Sequence, residues 1–267
     1  MRSFRSFASV PEGGFARPTA VTIGKFDGVH LGHQQVLARL RQIAEREGLE
    51  PVVFTFTENP LARLRPEVCP PPLTSPEQRL ELLEKAGIAA TLMVDFTPEL
   101  QALEPCEFVQ KVLVETLQAR HLLVGQDFRF GARGAGDVAV LRELGEKFGF
   151  TVSVIDDVLC DGAEAGFGNG SGGGPEMTGN GCEDNSCESA EKGVPERISS
   201  SRIRALIAAG NVEKAGKLLG RPVTVRGIVA HGAARGRDLG FPTANLAPGF
   251  DGRAPQEGVY AGIAQLG

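Results

Sequence analysis

No stretch of this chain approaches the roughly 18 consecutive apolar residues of a membrane span. The amino-terminal MRSFRSFASVPEGGF carries two arginines but lacks the continuous apolar core of a secretory signal. Basic charge is not in excess: the formal net charge is -5, which excludes a nucleic-acid binder by charge alone. A local phosphate site, which needs only a few donors, is not excluded. Cysteines are few, odd in number and irregularly spaced, at positions 69, 106, 160, 182 and 187, so they form no disulfide framework. Cys182 and Cys187 lie close together, but no histidine stands near to complete a zinc set, and they read as loop thiols. These absences point to a cytoplasmic protein with no membrane and no nucleic-acid partner.

With 267 residues, 42% of them hydrophobic, the chain can build one large domain or two modest ones. TAVTIG (19–24) reads as a buried strand. LGHQQVLARLRQIAEREG then places Val36, Leu37, Leu40, Ile43 and Ala44 on one helical face, with Gly48 as a stop, and PVVFTF (51–56) is a second strand. Strand, helix and strand in so short a span make a βαβ unit and imply a parallel sheet. Ser75-Pro76-Glu77-Gln78 is a capping box opening a helix. Further strands are expected at 91–96, 121–125 and 150–158, with helices over 105–119 and DVAVLRELGEKFG. The economical answer is a doubly wound α/β domain. Residues 161–194, rich in glycine, asparagine, serine and acid, carry too little apolar surface to offset ordering entropy and are expected to be a disordered insert. ISSSRIRALIAAGNVEKAGKLLG restores a helical pattern, capped by Ser199 or Ser200. After Gly220 the pattern alternates as β-structure does, with glycines at 232, 236 and 240. Two units are expected: 1–218, and 219–267 as a partial antiparallel β-barrel module.

Two of the four histidines, His30 and His33, fall within the ten residues GKFDGVHLGH. Gly24 ends a strand at the carboxyl edge of the sheet, where helix amino termini offer free N–H groups to ligands. Gly28 and Gly32 remove side chains, so that a phosphate can approach the backbone. An i, i+3 spacing puts both imidazoles on one face, where they can donate to phosphate oxygens and stabilise charge at phosphorus. The pattern suits nucleotidyl transfer, which needs alignment and charge stabilisation more than a covalent intermediate. The alternative is that the histidines merely cap the helix.

GKFDGVHLGH resembles the G-x-FDG-x-H-x-GH signature of the bifunctional riboflavin kinase/FMN adenylyltransferases, the bacterial FAD synthetases. LTSPEQRLELLEKAG, VGQDFRFGARGAGD, ISSSRIRALIAAGNVEKAGKLLGRP and GIVAHGAARGRDLGFPTANL follow in the family's order. The resemblance implies the reaction of FMN and ATP to FAD and pyrophosphate, with magnesium. It places His30 and His33 at the ATP phosphates, beside Gly24, Phe26, Asp27, Gly28 and Gly32. It also puts Ser199, Ser200, Ser201 and Arg204 at the triphosphate, although Ser199 and Ser200 can equally be plain caps. Asn59, Asp127, Phe128, Arg129 and Phe130 fall in the implied nucleotide and flavin pocket, with the core as the alternative for each phenylalanine. TFTENP (55–60) departs from the family's T-F-D-P-H-P-like stretch, so Asn59 must substitute or a contact is lost. Thr243 and Asn245 match the magnesium and ATP ligands of the kinase module. The family's catalytic glutamate would lie beyond residue 267, so riboflavin kinase activity is expected to be absent here. Rival readings are another H-x-G-H transferase with a different phosphorylated acceptor, and a non-catalytic flavin-binding protein.

Overall fold

The computed structural model describes residues 1–11, 15, 17–156, 159–160, 196–230, 240 and 243–266. The acidic stretch 161–194, Cys182, Cys187 and the glycines at 232 and 236 lie outside the described residues.

Six strands form one parallel sheet: β1 (Arg2–Phe4), β2 (Thr19–Ile23), β3 (Glu50–Phe56), β4 (Ala90–Val94), β5 (Ala119–Gly125) and β6 (Thr151–Ile155), in the order β1-β4-β3-β2-β5-β6. Val21 aligns with Val52 on one side and Leu122 on the other. Alternate residues face opposite ways, so Val21, Val52, Phe54, Leu92 and Leu122 build one core while Ala20, Val53 and Leu123 join another. Both cores need cover, which explains the apolar character of the strands. On one face lie α1 (Leu31–Glu47), through Leu37, Leu40 and Ile43, and α3 (Pro76–Lys85), through Leu83. The short α2 (Pro60–Leu64) and α4 (Pro98–Ala102) follow β3 and β4. On the other face lie α5 (Pro105–Phe108), its continuation Val109–Thr116, and α6 (Val138–Phe148).

The predicted strand–helix alternation holds, with three differences. β1 escapes sequence reading because three residues carry no usable periodicity; it pairs with β4 and is anchored by an Arg2–Glu50 ion pair. The helix expected over 105–119 widens at Val109–Thr116 into a π-helix, where the Leu117 N–H reaches back five residues to the Val112 carbonyl. The pattern after Ser199 splits at Gly210 into α7 (Ser200–Ala208) and α8 (Val212–Leu219). These two helices make a third apolar cluster, Ile198, Ile203, Ile207, Ala215, Leu218 and Leu219, together with Leu73 of the β3–α3 connection.

The chain runs outward from β2 to β3 and β4, then returns to place β5 on the opposite side of β2. The β2/β5 boundary is therefore the switch point of the sheet, where carboxyl-end loops diverge and leave a crevice. At the other end of β5, buried His121 sits between Glu47 (2.9 Å) and Ser153 (2.8 Å), tying the end of α1 to the sheet. Two further two-stranded antiparallel ladders, β7 (Leu159–Cys160) with β8 (Glu196–Arg197) and β9 (Val229–Ala230) with β10 (Asn245–Leu246), complete the described elements. No helix among the described residues is long and apolar enough to cross a membrane.

Leu122, fully buried in the central strand pair, gives a check on this core. Leu122→Ala should lower unfolding stability by about 2–5 kcal/mol, read as a lower urea midpoint with an unchanged slope.

Candidate active site

The loop between β2 and α1 is held in an unusual backbone shape. Phe26 and Val29 take positive φ (48° and 38°) although neither is glycine, and Gly28 sits at φ 80°. A bulky or β-branched residue in that region costs about 1–3 kcal/mol and persists only where neighbours impose it. Here the neighbours are identifiable. Phe26 and Val29 are both buried in the core beneath α1. The Asp27 carboxylate accepts from the Leu73 N–H (2.9 Å), the Thr74 N–H (3.2 Å) and the Thr74 hydroxyl (3.3 Å), and pairs with Arg204 Nη2 at 2.5 Å. Arg204 also donates through Nε to the Pro71 carbonyl, and Ser200 Oγ donates to the Asp27 carbonyl at 2.9 Å. Three chain segments thus meet at one aspartate.

On this frame His30 is the N-cap of α1, its Nδ1 accepting from the His33 N–H at 3.3 Å. In the neutral ring the remaining proton then sits on Nε2, which becomes its donor. The two imidazoles stack at 3.7 Å between centroids and 16° between planes, with the Phe26 ring 5.0 Å behind His33. The i, i+3 spacing has therefore put both rings on one side of the helix start, and capping coexists with pairing. Burial pushes the His30 imidazole down to about 4; Asp27 opposes the shift, and Arg221 and Arg197 reinforce it. Burial, then His30, then Arg79 hold His33 well below the usual histidine range. His33 keeps partial exposure, yet its Nδ1 is shut off from solvent with no hydrogen-bond partner among the described residues. Both rings are neutral near pH 7, so each carries one donor.

Several site residues play parts other than those expected. The space left by Gly28 is not open to a phosphate: an added Cβ would lie 2.8 Å from Leu73 Cδ1, and its N–H already donates to Thr74 Oγ1. Gly24 makes room for the Phe26 ring and donates its N–H to Phe54. Gly32 lies buried in the first turn of α1. Arg204 and Asp27 act first on each other, which makes them the brace of the loop. Ser199 caps α7 by accepting from the Arg202 N–H, and Ser201 is exposed one residue on. Asn59 caps α2, its side-chain oxygen taken by the Leu61 N–H at 3.1 Å.

At the end of β5, Asp127 pairs with Arg197 at 3.0 Å, and Arg129 faces Asp137 at 3.6 Å. Phe130 is buried core, 5.8 Å from Phe108, and the half-buried Phe128 stacks on it at 5.5 Å. Since Arg197 also acts on His30, the β5 loop and the histidine loop share the carboxyl edge of the sheet. Thr243 and Asn245 are exposed, the latter opposite Ala230 in the β9–β10 ladder.

Sequence reading missed three groups. Arg79, 4% exposed, donates to the Phe56 carbonyl at 2.6 Å and bears on His33. Gln34 Nε2 bridges the Val29 and Leu219 carbonyls, both at 2.9 Å. Arg221 reaches the Gly28 carbonyl at 2.6 Å. The one available signal for Arg79 was its place in the turn after a proline-led capping box. Nothing local marks the other two.

A parallel sheet with a helix-capped histidine pair at its switch point defines an α/β domain of the nucleotidyltransferase type. Comparison gives the family. Residues 14–166 match the family model described as FAD synthetase, and residues 219–267 match that described as riboflavin kinase. The chain is similar to the bifunctional riboflavin kinase/FMN adenylyltransferase of Listeria monocytogenes, with 34% identity over 90% of this chain and 66% of that one. Against the Pseudomonas fluorescens relative the figures are 35%, 91% and 67%, and against that of Escherichia coli K12 32%, 98% and 71%. The chain thus spans about two-thirds of the length of these relatives, and 63% of another. A crystal structure described as a macrolide-efflux protein from Streptococcus pneumoniae superimposes with a TM-score of 0.74 at 30% identity, covering 97% of this chain and 72% of that one. The chain belongs to the family of bifunctional riboflavin kinase/FMN adenylyltransferases.

A buried neutral histidine has a consequence for stability. The unfolded chain takes up a proton at His30 near pH 6.5, whereas the folded site refuses it until about pH 4. Stability should therefore fall as the pH drops through this window, by about 3 kcal/mol at His30 between pH 7 and pH 4, with His33 adding in the same direction. Urea unfolding across this range checks it. His30→Asn, which keeps a capping side chain, should flatten the dependence.

Proposed function

We propose that this chain transfers the adenylyl group of ATP to FMN. A phosphate oxygen of FMN attacks the α-phosphorus, the bond to the bridging oxygen breaks, and FAD and pyrophosphate leave. The observation that carries this reading is the stacked, neutral His30–His33 pair at the amino end of α1, on the carboxyl edge of the sheet. Neutral donors in a partly desolvated site lose little energy in reorganising as charge builds on the phosphate oxygens. His30 offers Nε2–H, and the first turns of α1 and α7 add their dipoles. Arg79, Arg197 and Arg204 supply a positive field suited to a triphosphate. Arg204 does so from its place on Asp27, and thereby holds the α7 amino terminus against the histidine loop.

Asp27, the carboxylate nearest the histidines, is already filled by four donors. The donor set therefore fits a triphosphate that brings its own magnesium as part of the substrate. In this reading Phe128, Asp127 and Arg129, at the end of β5, border the flavin or adenine; their support is their position at the carboxyl edge of the sheet. A cytoplasmic enzyme, free of membrane and nucleic acid, is part of this reading.

For domain organisation, residues 1–218 act as the adenylyl-transfer unit and 219–267 open the kinase module. The support is the apolar cluster of α7 and α8 on Leu73, whose buried members run to Leu219, with Val223 packed against it just past the boundary. The family match over 219–267 favours a second reading, in which this segment also takes part in phosphorylating riboflavin. Thr243 and Asn245 are hard oxygen donors that fit magnesium there. Both are exposed, beside a ladder with two residue pairs among the described residues; we expect no FMN from riboflavin and ATP with this chain alone, and measurable FMN would support the second reading.

Pyrophosphate release with FMN and ATP tests the main reading. His33→Ala should lower the rate at least tenfold, as for loss of a transition-state donor worth about 2–4 kcal/mol. Turnover with another phosphorylated acceptor but not FMN would favour a different H-x-G-H transferase. Tight FMN binding without pyrophosphate release would favour a non-catalytic flavin-binding protein.

A further inference from the structure

Arg221 lies just past α8, at the start of the segment that matches riboflavin kinase. Its guanidinium is a three-way clamp. Nη2 donates to the Gly28 carbonyl at 2.6 Å, and Nη1 lies 3.4 Å from the Val29 carbonyl and 3.2 Å from that of Leu219. Gln34 Nε2 reinforces the same junction from α1, at 2.9 Å to both Val29 and Leu219. Gly28 and Val29 are the two residues before the N-cap His30, and both have positive φ. A cleft of about 120 Å³ that opens to solvent is bordered by Gly28, Thr74, Arg221 and Thr224, and Val29 lines a neighbouring one.

The loop is therefore strained, has open space beside it, and has the carbonyls of Gly28 and Val29 gripped by a side chain 193 and 192 residues away in sequence. Without the clamp the strained carbonyls have space to relax into, and His30 moves with them. We infer that Arg221 is a positioning residue for adenylyl transfer: it fixes the Gly28–Val29 turn and so sets the aim of the His30 imidazole. The segment matched to riboflavin kinase thereby completes the catalytic loop of the other unit. Lysine cannot replace it fully, because one ammonium cannot span carbonyls that the guanidinium fork reaches together.

The inference rests on the adenylyl-transfer reading, and the test separates the two. Pyrophosphate release is measured for the whole chain, for Arg221→Met and Arg221→Lys, and for each in a His30→Asn background. Wild-type turnover establishes the reaction. Arg221→Met should then lower kcat about tenfold with KM for FMN within about twofold. Arg221→Lys should recover part of the loss. In the His30→Asn background Arg221→Met should change kcat by less than about twofold, because the two act as one unit. Effects that multiply independently, or an unchanged kcat in the folded single variant, would overturn the inference. Where Arg221→Met does not fold, Arg221→Lys is judged by the same criteria.

If the wild-type chain releases no pyrophosphate, the reaction reading fails by itself. The clamp is then decided by the His30 imidazole resonances in a ¹⁵N-labelled chain. Asp27, Arg197, Arg221 and the His33 ring bear on that imidazole, with Arg79 behind His33. Arg221→Lys, which keeps the charge but not the fork, should still shift the His30 resonances; spectra superimposable on those of the wild type would overturn the inference.

Discussion

The Asp27 carboxylate is the point on which this site turns. It closes the β2–α1 loop against the backbone of Leu73 and Thr74, and it receives Arg204 from α7. Burying such a charge is favourable only when its lone pairs are met, and here they are met by donors from two distant segments. The contact thus decides which parts of the chain form one unit. It makes a helix pair beyond residue 199 part of the wall around a loop near residue 30.

The histidine pair is a product of that enclosure. Two imidazoles stacked at 3.7 Å could not both carry charge at little cost. Burial removes the problem by keeping both neutral. In that state one ring can accept from the helix backbone while offering its other nitrogen outward. Capping uses one nitrogen of the ring and leaves the other free of that task, so two explanations that are rivals when only the spacing is known are compatible.

Much of this was legible beforehand, and what was not has physical reasons. The alternating strands and helices could be read because their periodicities are local. The capping box at Ser75 and a serine cap at 199 or 200, which the structure puts at Ser199, were visible for the same reason. The brace was not, because Asp27 and Arg204 are 177 residues apart, and the spacing of a motif says nothing of a partner so distant. Gly28 looked like room for a ligand; its space belongs to Leu73, a leucine in a connection with no periodic pattern. Phe128 and Phe130 were open between pocket and core because alternation on a short loop cannot assign a face. Phe130 joined the core, while Phe128 lies over it half exposed. Arg79, Gln34 and Arg221 donate to backbone carbonyls, and a carbonyl leaves no mark on a sequence.

The buried valine at position 29 has a bearing on how this loop can be engineered. Its backbone would be more comfortable as glycine, yet its side chain is packed in the core under α1. Local discomfort and good packing are thus bound into a single residue. A heat-tolerance screen that scores only folded protein would see the discomfort as a defect to be repaired. A change to glycine there would ease the backbone while emptying part of the packing under α1, so the two effects oppose each other at one position.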